Sequence, residues 1–293
     1  MERRHLASKT RCRHDAGVPL SQIKPMHISQ INIYPVKSLM GISLDASPVE
    51  ERGLAFDRRW MLVDENNQFL TQREIPAMAL VKVELNEENI TASIDGKTLK
   101  IPHQPDGELA TVKIWSSRVK GRFYDAAIDA WFSEAIGRTC RLVSMPEETK
   151  RKVNPFYAVR KFKDTVSFAD GYPFLLIGEA SLEDLNERMD VPVPMNRFRP
   201  NFVVAGAEAF AEDTWKKIRV GDTIFHLVKP CARCVITTVD QSTGKKNGKE
   251  PLKTLSAYRN RKGKVLFGQN LIAENPGEVV RIGDKIEVLE TRS

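Results

Sequence analysis

"VKPCARCVITTVD", residues Val228–Asp240, carries two of the chain's four cysteines, Cys231 and Cys234, with two residues between them. Such a pair serves as a disulfide redox couple, half of a zinc site, one reactive thiolate beside a bystander, or two core thiols. A redox couple sets its first thiol at a helix N-terminus, where the dipole stabilises the thiolate. Here Cys234 runs into Val-Ile-Thr-Thr-Val, a β-branched series that favours a strand. A structural zinc needs four ligands. Beyond the pair the chain offers Cys12, Cys140 and five scattered histidines, of which His226 alternates with apolar residues. Both chemistries are disfavoured. Arg233 sits directly before Cys234 and Lys229 is close by, and positive neighbours favour a thiolate. Spacing leaves one functional thiolate and plain core thiols both open.

Outward from this stretch the chain reads as many short strands. "INIYPV" (31–36), "RRWMLVD" (58–64), "ALVKVEL" (79–85), "ATVKIW" (110–115) and "RLVSM" (141–145) precede it or its half of the chain. "NFVVAG" (201–206), "TIFHLV" (223–228), "CVITTVD" (234–240), "VLFG" (265–268) and "KIEVLE" (285–290) follow the same β-branched or aromatic pattern. A helix is predicted from Asp125 to Ile136, because Ile128, Trp131, Phe132, Ala135 and Ile136 recur on one face and Gly137 stops it. A second is predicted over 179–189, with Ser181 as its cap. The basic stretch 146–165 reads as a solvated connector between two units. The fold class expected is mainly β with some helices (α+β), built as closed or sandwiched sheets.

The 293 residues, 41% hydrophobic and 28% charged, suit one large or two ordinary domains with a real core. No apolar run approaches the roughly 18 residues of a membrane span, so no membrane association is expected. Four cysteines are too few for a disulfide scaffold, and a reducing, cytoplasmic setting is expected. The formal charge is +7, but residues 1–25 contribute +4 of it. The body is only mildly basic, which does not suggest a nucleic-acid partner. Residues 1–25 are read as a disordered tail or an artefactual extension, lacking the apolar segment of a secretory signal.

"KPCARCVITTVDQSTG", "NRFRPNFVV", "EDTWKKIRVGD" and "LFGQNLIAENPG" together resemble the MOSC domain of molybdenum cofactor proteins. "YPVKS", "GLAFDRRWMLVDE" and "LTQRE" resemble the N-terminal β-barrel domain that accompanies it. The set, in order over about 27–290, resembles the amidoxime-reducing component family and its bacterial relatives that reduce N-hydroxylated bases. The resemblance implies an N-terminal β-barrel-like domain over 26–148 and a MOSC β-barrel domain over 149–293, with the site shared with 31–60. It implies the molybdenum cofactor, a molybdenum-bearing molybdopterin, with Cys234 as catalytic metal ligand and Cys231 as a non-ligating companion. A soft, sulfur-rich centre suits a protein thiolate. Lys37, Ser38, Arg58, Asp170, Gly171, Tyr172, Arg199, Asn201, Arg233 and Asn270 match cofactor-holding positions, with Arg197 at a more variable one. The reaction implied is two-electron reduction of amidoximes or N-hydroxylated nucleobases. Asp240 is a candidate proton donor, or else a turn former. The four-cysteine spacing of a plant-type iron–sulfur domain is absent. A separate flavin or iron–sulfur electron donor is therefore expected, steered by the basic loops 149–163 and 244–264. The alternative function is a sulfur or cofactor carrier using a cysteine persulfide.

Overall fold

The computed structural model describes residues 25–160, 163–246 and 248–292. The expected tail, with Cys12, lies outside the described residues, apart from Pro25. Among the described residues strands dominate and three α-helices punctuate them, as the patterning predicts.

The largest sheet runs in the order Ile42–Leu44, His27–Ile33, Phe202–Ala205, Phe174–Gly178, Lys264–Ala273, Thr223–Arg233, Trp215–Val220, Ile286–Thr291. One of its pairs, Phe174–Gly178 with Phe202–Ala205, is parallel and the others are antiparallel. His27 also bridges Lys285, and Ile28 N donates to Asp284 O at 3.0 Å. The first strand thus meets the last, and the sheet closes into a barrel without free edges over that stretch. Phe174, Phe202 and Phe225 pack inside, with ring centroids 5.2–5.8 Å apart. The first strand belongs to this barrel although strands of the other unit follow it in the chain.

The second unit is a four-stranded sheet, Trp60–Val63, Arg141–Ser144, Ser117–Phe123, Leu109–Ile114, beside the three-stranded meander Lys82–Leu85, Asn89–Ile94, Lys97–Pro102. Helix Ala126–Ile136 covers its core with Ile128, Phe132 and Ile136. Asp125 caps that helix by accepting from Ala127 N and Ile128 N at 2.9 Å, and Gly137 ends it in the left-handed region.

Three expectations are corrected. "CVITTVD" is not one strand. The Thr223–Arg233 strand stops before Cys234, and Val235–Thr238 forms a single 3₁₀ turn. The Thr237 and Thr238 hydroxyls donate to Cys234 O and Val235 O at 3.1 and 2.8 Å, which favours the turn over the ladder. Ser181 is no cap, because the second helix begins at Glu179. It lies buried inside that helix and donates to the Glu212 carboxylate at 2.8 Å. The 146–165 stretch is only partly a solvated face: Glu147, Glu148, Lys150, Lys152 and Phe156 are exposed, but Arg151, Val153 and Asp164 are buried in it. Arg151 spends its guanidinium on the carbonyls of Ser167, Ala169 and Asp170.

Gly268 shows how tightly the barrel wall is built. Its φ is +78°, and a Cβ there would sit 2.6 Å from Ile177 Cγ1 and 2.8 Å from Leu176 O. Gly268→Ala is expected to lower unfolding stability by about 2 kcal/mol or more. Urea denaturation should show a lower midpoint with the slope unchanged.

Candidate active site

Both units contribute to a cavity of about 130 Å³. From the first half come Lys37 and Ser38, which follow Val36 into a turn, and Arg58, which precedes the Trp60–Val63 strand. From the second come Asp170, Gly171 and Tyr172 before Phe174–Gly178, then Arg199, Asn201, Arg233 and Asn270. The structure therefore brings ten of the eleven expected cofactor positions to one wall. Arg197 is the exception. It is outside the lining and pairs with Asp240 at 2.8 Å.

Asp240 in turn accepts from Ser242 Oγ, Ser242 N and Thr243 N. The Ser242 bonds hold its carboxyl down to about 2. It shapes a turn outside the cavity, which corrects its candidacy as a proton donor.

Backbone geometry is unusual around the cavity. Ser38, Arg58 and Arg199 all have φ between 49° and 67°, a region that non-glycine residues seldom occupy. Such conformations persist where surrounding contacts over-determine them. Arg58 is held by Asp57 at 2.6 Å, by Asn201 Oδ1 at 3.2 Å and by Arg199 O at 3.2 Å. Arg58 and Arg199 both stack on the Tyr34 ring, at 4.2 and 4.1 Å. Burial pushes the Tyr34 hydroxyl up to about 12, against the pull of those two guanidiniums.

The charge balance is cationic. Asp57 is committed to Arg58, and Asp170 is shared by Lys37 at 2.5 Å and Arg73 at 3.2 Å. Burial pushes Arg199 down to about 10. Arg199 and Arg233 each leave Nη2 buried without a hydrogen-bond partner. Two orphaned guanidinium nitrogens on one cavity wall are what an anionic group such as a phosphate would satisfy.

Arg73 was not singled out from the sequence, although "LTQRE" contains it. Its Nε lies 3.3 Å from Cys234 Sγ, and its guanidinium stacks on Trp115 at 4.6 Å. Buried Gln72 and Gln241 exchange bonds at 2.9 and 3.2 Å, fixing that loop against the segment after Val239. Arg151 and Trp115 were missed too, the latter donating to Asp170 at 3.2 Å. Nothing in the local sequence signals these three, since their partners lie 55–161 residues away for Trp115 and Arg73. Cys231 lines the cavity, and burial pushes its thiol up, so it favours the protonated form. Cys234, the expected metal ligand, is not among the lining residues; it adjoins the cavity through its contact with Arg73, which does line it.

Known proteins resemble this chain over most of its length. The MOSC domain model matches residues 163–287, and the MOSC N-terminal beta barrel domain model matches 25–139. Mitochondrial amidoxime-reducing component 1 of Mus musculus is 36% identical over 281 residues, covering 89% of this chain and 82% of that protein. The chain belongs to the family of MOSC-domain proteins that includes the mitochondrial amidoxime-reducing components. The Homo sapiens component 1 is 33% identical over 89% of this chain and 82% of its own length. Molybdenum cofactor sulfurase of Oryza sativa subsp. japonica is 35% identical over 84% of this chain, which spans 32% of that longer protein.

The Lys37–Asp170 contact gives a pH test. Burial pushes the Lys37 amine down to about 8, and Asp170 offsets part of that fall. Between about pH 8 and the ordinary lysine range near 10.4, the unfolded chain holds a proton there that the folded chain has released. Stability therefore rises with pH across that window. Relative to Lys37→Met, the wild type should gain stability between pH 8 and 10 in urea titrations. A difference that is flat or falls over that range would contradict a buried, partly discharged Lys37.

Proposed function

We propose that this chain is a molybdenum-cofactor-dependent reductase of N-hydroxylated compounds, amidoximes and N-hydroxylated nucleobases among them. The observation that carries the reading is the pairing of one thiol, Cys234, with unpartnered cations on an adjoining wall. Arg199 Nη2 and Arg233 Nη2 are buried without partners on residues that line the cavity, and Arg73, which also lines it, contacts Cys234. That donor set fits a pterin cofactor with an anionic phosphate. The kinship to amidoxime-reducing components over most of both chains supports the substrate class.

In this reading Cys234 Sγ would ligate the metal and Cys231 would stay a thiol. Arg58, Arg199 and Arg233 would hold the cofactor's anionic group, and Ser38, Gly171, Tyr172, Asn201 and Asn270 would help hold the pterin. Bound there, the cofactor supplies the two electrons that convert an N–OH group to N–H with release of water. That conversion consumes two protons. Lys37 Nζ, at about 8, holds a proton on the cavity wall near neutral pH and can release it. Arg73 fixes Asp170 and thereby the orientation of Lys37.

Electrons arrive from a separate flavin or iron–sulfur protein. Lys245, Lys246, Lys249 and Lys253 are exposed on the 244–264 segment and favour an acidic partner there. The 149–163 loop contributes less, because Arg151 and Arg160 are spent on internal carbonyls and Asp164. Among the described residues no helix is long and apolar enough to cross a membrane.

A second reading rests on the sulfurase relatives: Cys234 carries a persulfide and the chain delivers sulfur or cofactor. One purification separates the two. Expressed in a cofactor-producing host, the wild type should retain stoichiometric molybdenum and reduce benzamidoxime with a chemical donor. Cys234→Ser should lose both and Cys231→Ser neither. Arg233→Ala should weaken cofactor retention by roughly 10–100-fold. A chain without molybdenum, carrying a cyanide-labile sulfur on Cys234, would overturn the reductase reading in favour of the carrier.

A further inference from the structure

Arg58 and its neighbour Arg59 serve different cavities. Arg58 lines the one beside Cys234, whereas Arg59 lines a larger one of about 430 Å³. That second cavity shares no lining residue with the first. Its volume is within the range of small-molecule sites.

Three rings form part of its wall. Phe56 and Trp60 are parallel within 5°, with centroids 6.4 Å apart. The His103 ring sits 5.3 Å from Phe56 and 5.8 Å from Trp60, tilted 47° to each. Trp60 is buried and its Nε1 is spent on Tyr124 OH at 2.7 Å, so it offers a face and no donor. Phe56 is 42% exposed and has a φ of 62°. Its large apolar ring therefore stands half open to solvent on the cavity wall.

The polar part is also incompletely used. The Arg59 side chain is 7% exposed, its Nη2 pairs with Glu50, and its Nη1 is buried with no hydrogen-bond partner. His103 Nε2 is likewise buried without a partner. The Arg59–Glu50 pair thus sets an unused guanidinium donor beside a carboxylate that is 45% exposed. A flat ring can stack on Phe56 while its edge presents an acceptor to Arg59 and a donor to Glu50. Guanine has that edge, with O6 and N7 accepting and the ring and amino N–H groups donating.

We infer that this second cavity is a binding site for a planar heteroaromatic ring of the guanine type, separate from the Cys234 cavity. It does not depend on the function proposed above.

Saturation-transfer NMR and calorimetry with guanosine, using adenosine as control, test it on the full chain. Guanosine should bind saturably and more tightly than adenosine. Phe56→Ala, a change at an exposed ring, should weaken guanosine by about 10-fold or more. Glu50→Gln should erase the preference for guanosine over adenosine. Cys234→Ser should leave guanosine binding unchanged. No saturable binding of guanosine, equal binding of adenosine, or binding indifferent to Phe56→Ala would overturn the assignment.

Discussion

The carboxylate of Asp170 accepts from Lys37 Nζ at 2.5 Å, from Arg73 Nη2 at 3.2 Å and from Trp115 Nε1 at 3.2 Å. All three donors come from the first half of the chain, and Asp170 comes from the second. Although its side chain is largely exposed, the nearby Lys37 and Arg73 charges hold the group well below the usual carboxylate range. The backbone on either side is fixed as well, because Arg151 donates to Ala169 O and Asp170 O. Remove the carboxylate and three buried or stacked donors lose their common partner. Arg73 would then no longer be aimed at Cys234. One acid therefore sets the relation between two units that match separate family models.

The same wall is short of negative charge. Arg58 has Asp57, and Lys37 and Arg73 share Asp170. Arg199 and Arg233 have carbonyl, ring or no partners instead: Arg233 donates to Phe267 O and Phe198 O, and Arg199 stacks on Tyr34. A buried guanidinium without a counter-ion is unfavourable. Its burden is relieved by an anion that binds the folded state alone, which links ligand binding to folding. This frustration distinguishes the cavity from the exterior ion pairs of the barrel, such as Arg219–Glu287 at 2.8 Å, which are exposed and contribute little.

Much of this was legible in the sequence. β-branched runs marked most strands, and Asp125 and Gly137 bracketed the first helix. Motif resemblance pointed to ten residues that the fold gathers from positions 37 to 270. What escaped was decided by tertiary bonds. Thr237 and Thr238 turn a strand-like run into a 3₁₀ turn by bonding back to the chain. Ser181 looks like a cap until Glu212, 31 residues on, claims its hydroxyl. Arg151 reads as a solvated charge in a basic run, yet carbonyls 16 to 19 residues away bury it. Arg73 has no local signature, since its ligand-like contact with Cys234 spans 161 residues. Local patterns report propensity. They do not report which distant acceptor a long side chain will find.

The segment Phe56–Trp60 shows how one short run serves two faces. Phe56 and Arg58 both have positive φ, and Asp57 between them is fully buried. Asp57 accepts from Tyr34 N at 2.9 Å as well as from Arg58, while Arg58 N donates to Tyr34 O at 3.0 Å. The strained pair is thus clamped against Tyr34, whose OH donates to Pro200 O at 3.1 Å in the other unit. Each left-handed residue costs on the order of 1–3 kcal/mol, a cost offset by these concurrent bonds. Relaxing either residue to an extended conformation would swing Arg58 off Tyr34 and break the clamp. The backbone that turns Phe56 outward is therefore the same backbone that turns Arg58 toward Asn201 and the Cys234 cavity, and neither side can shift without the other.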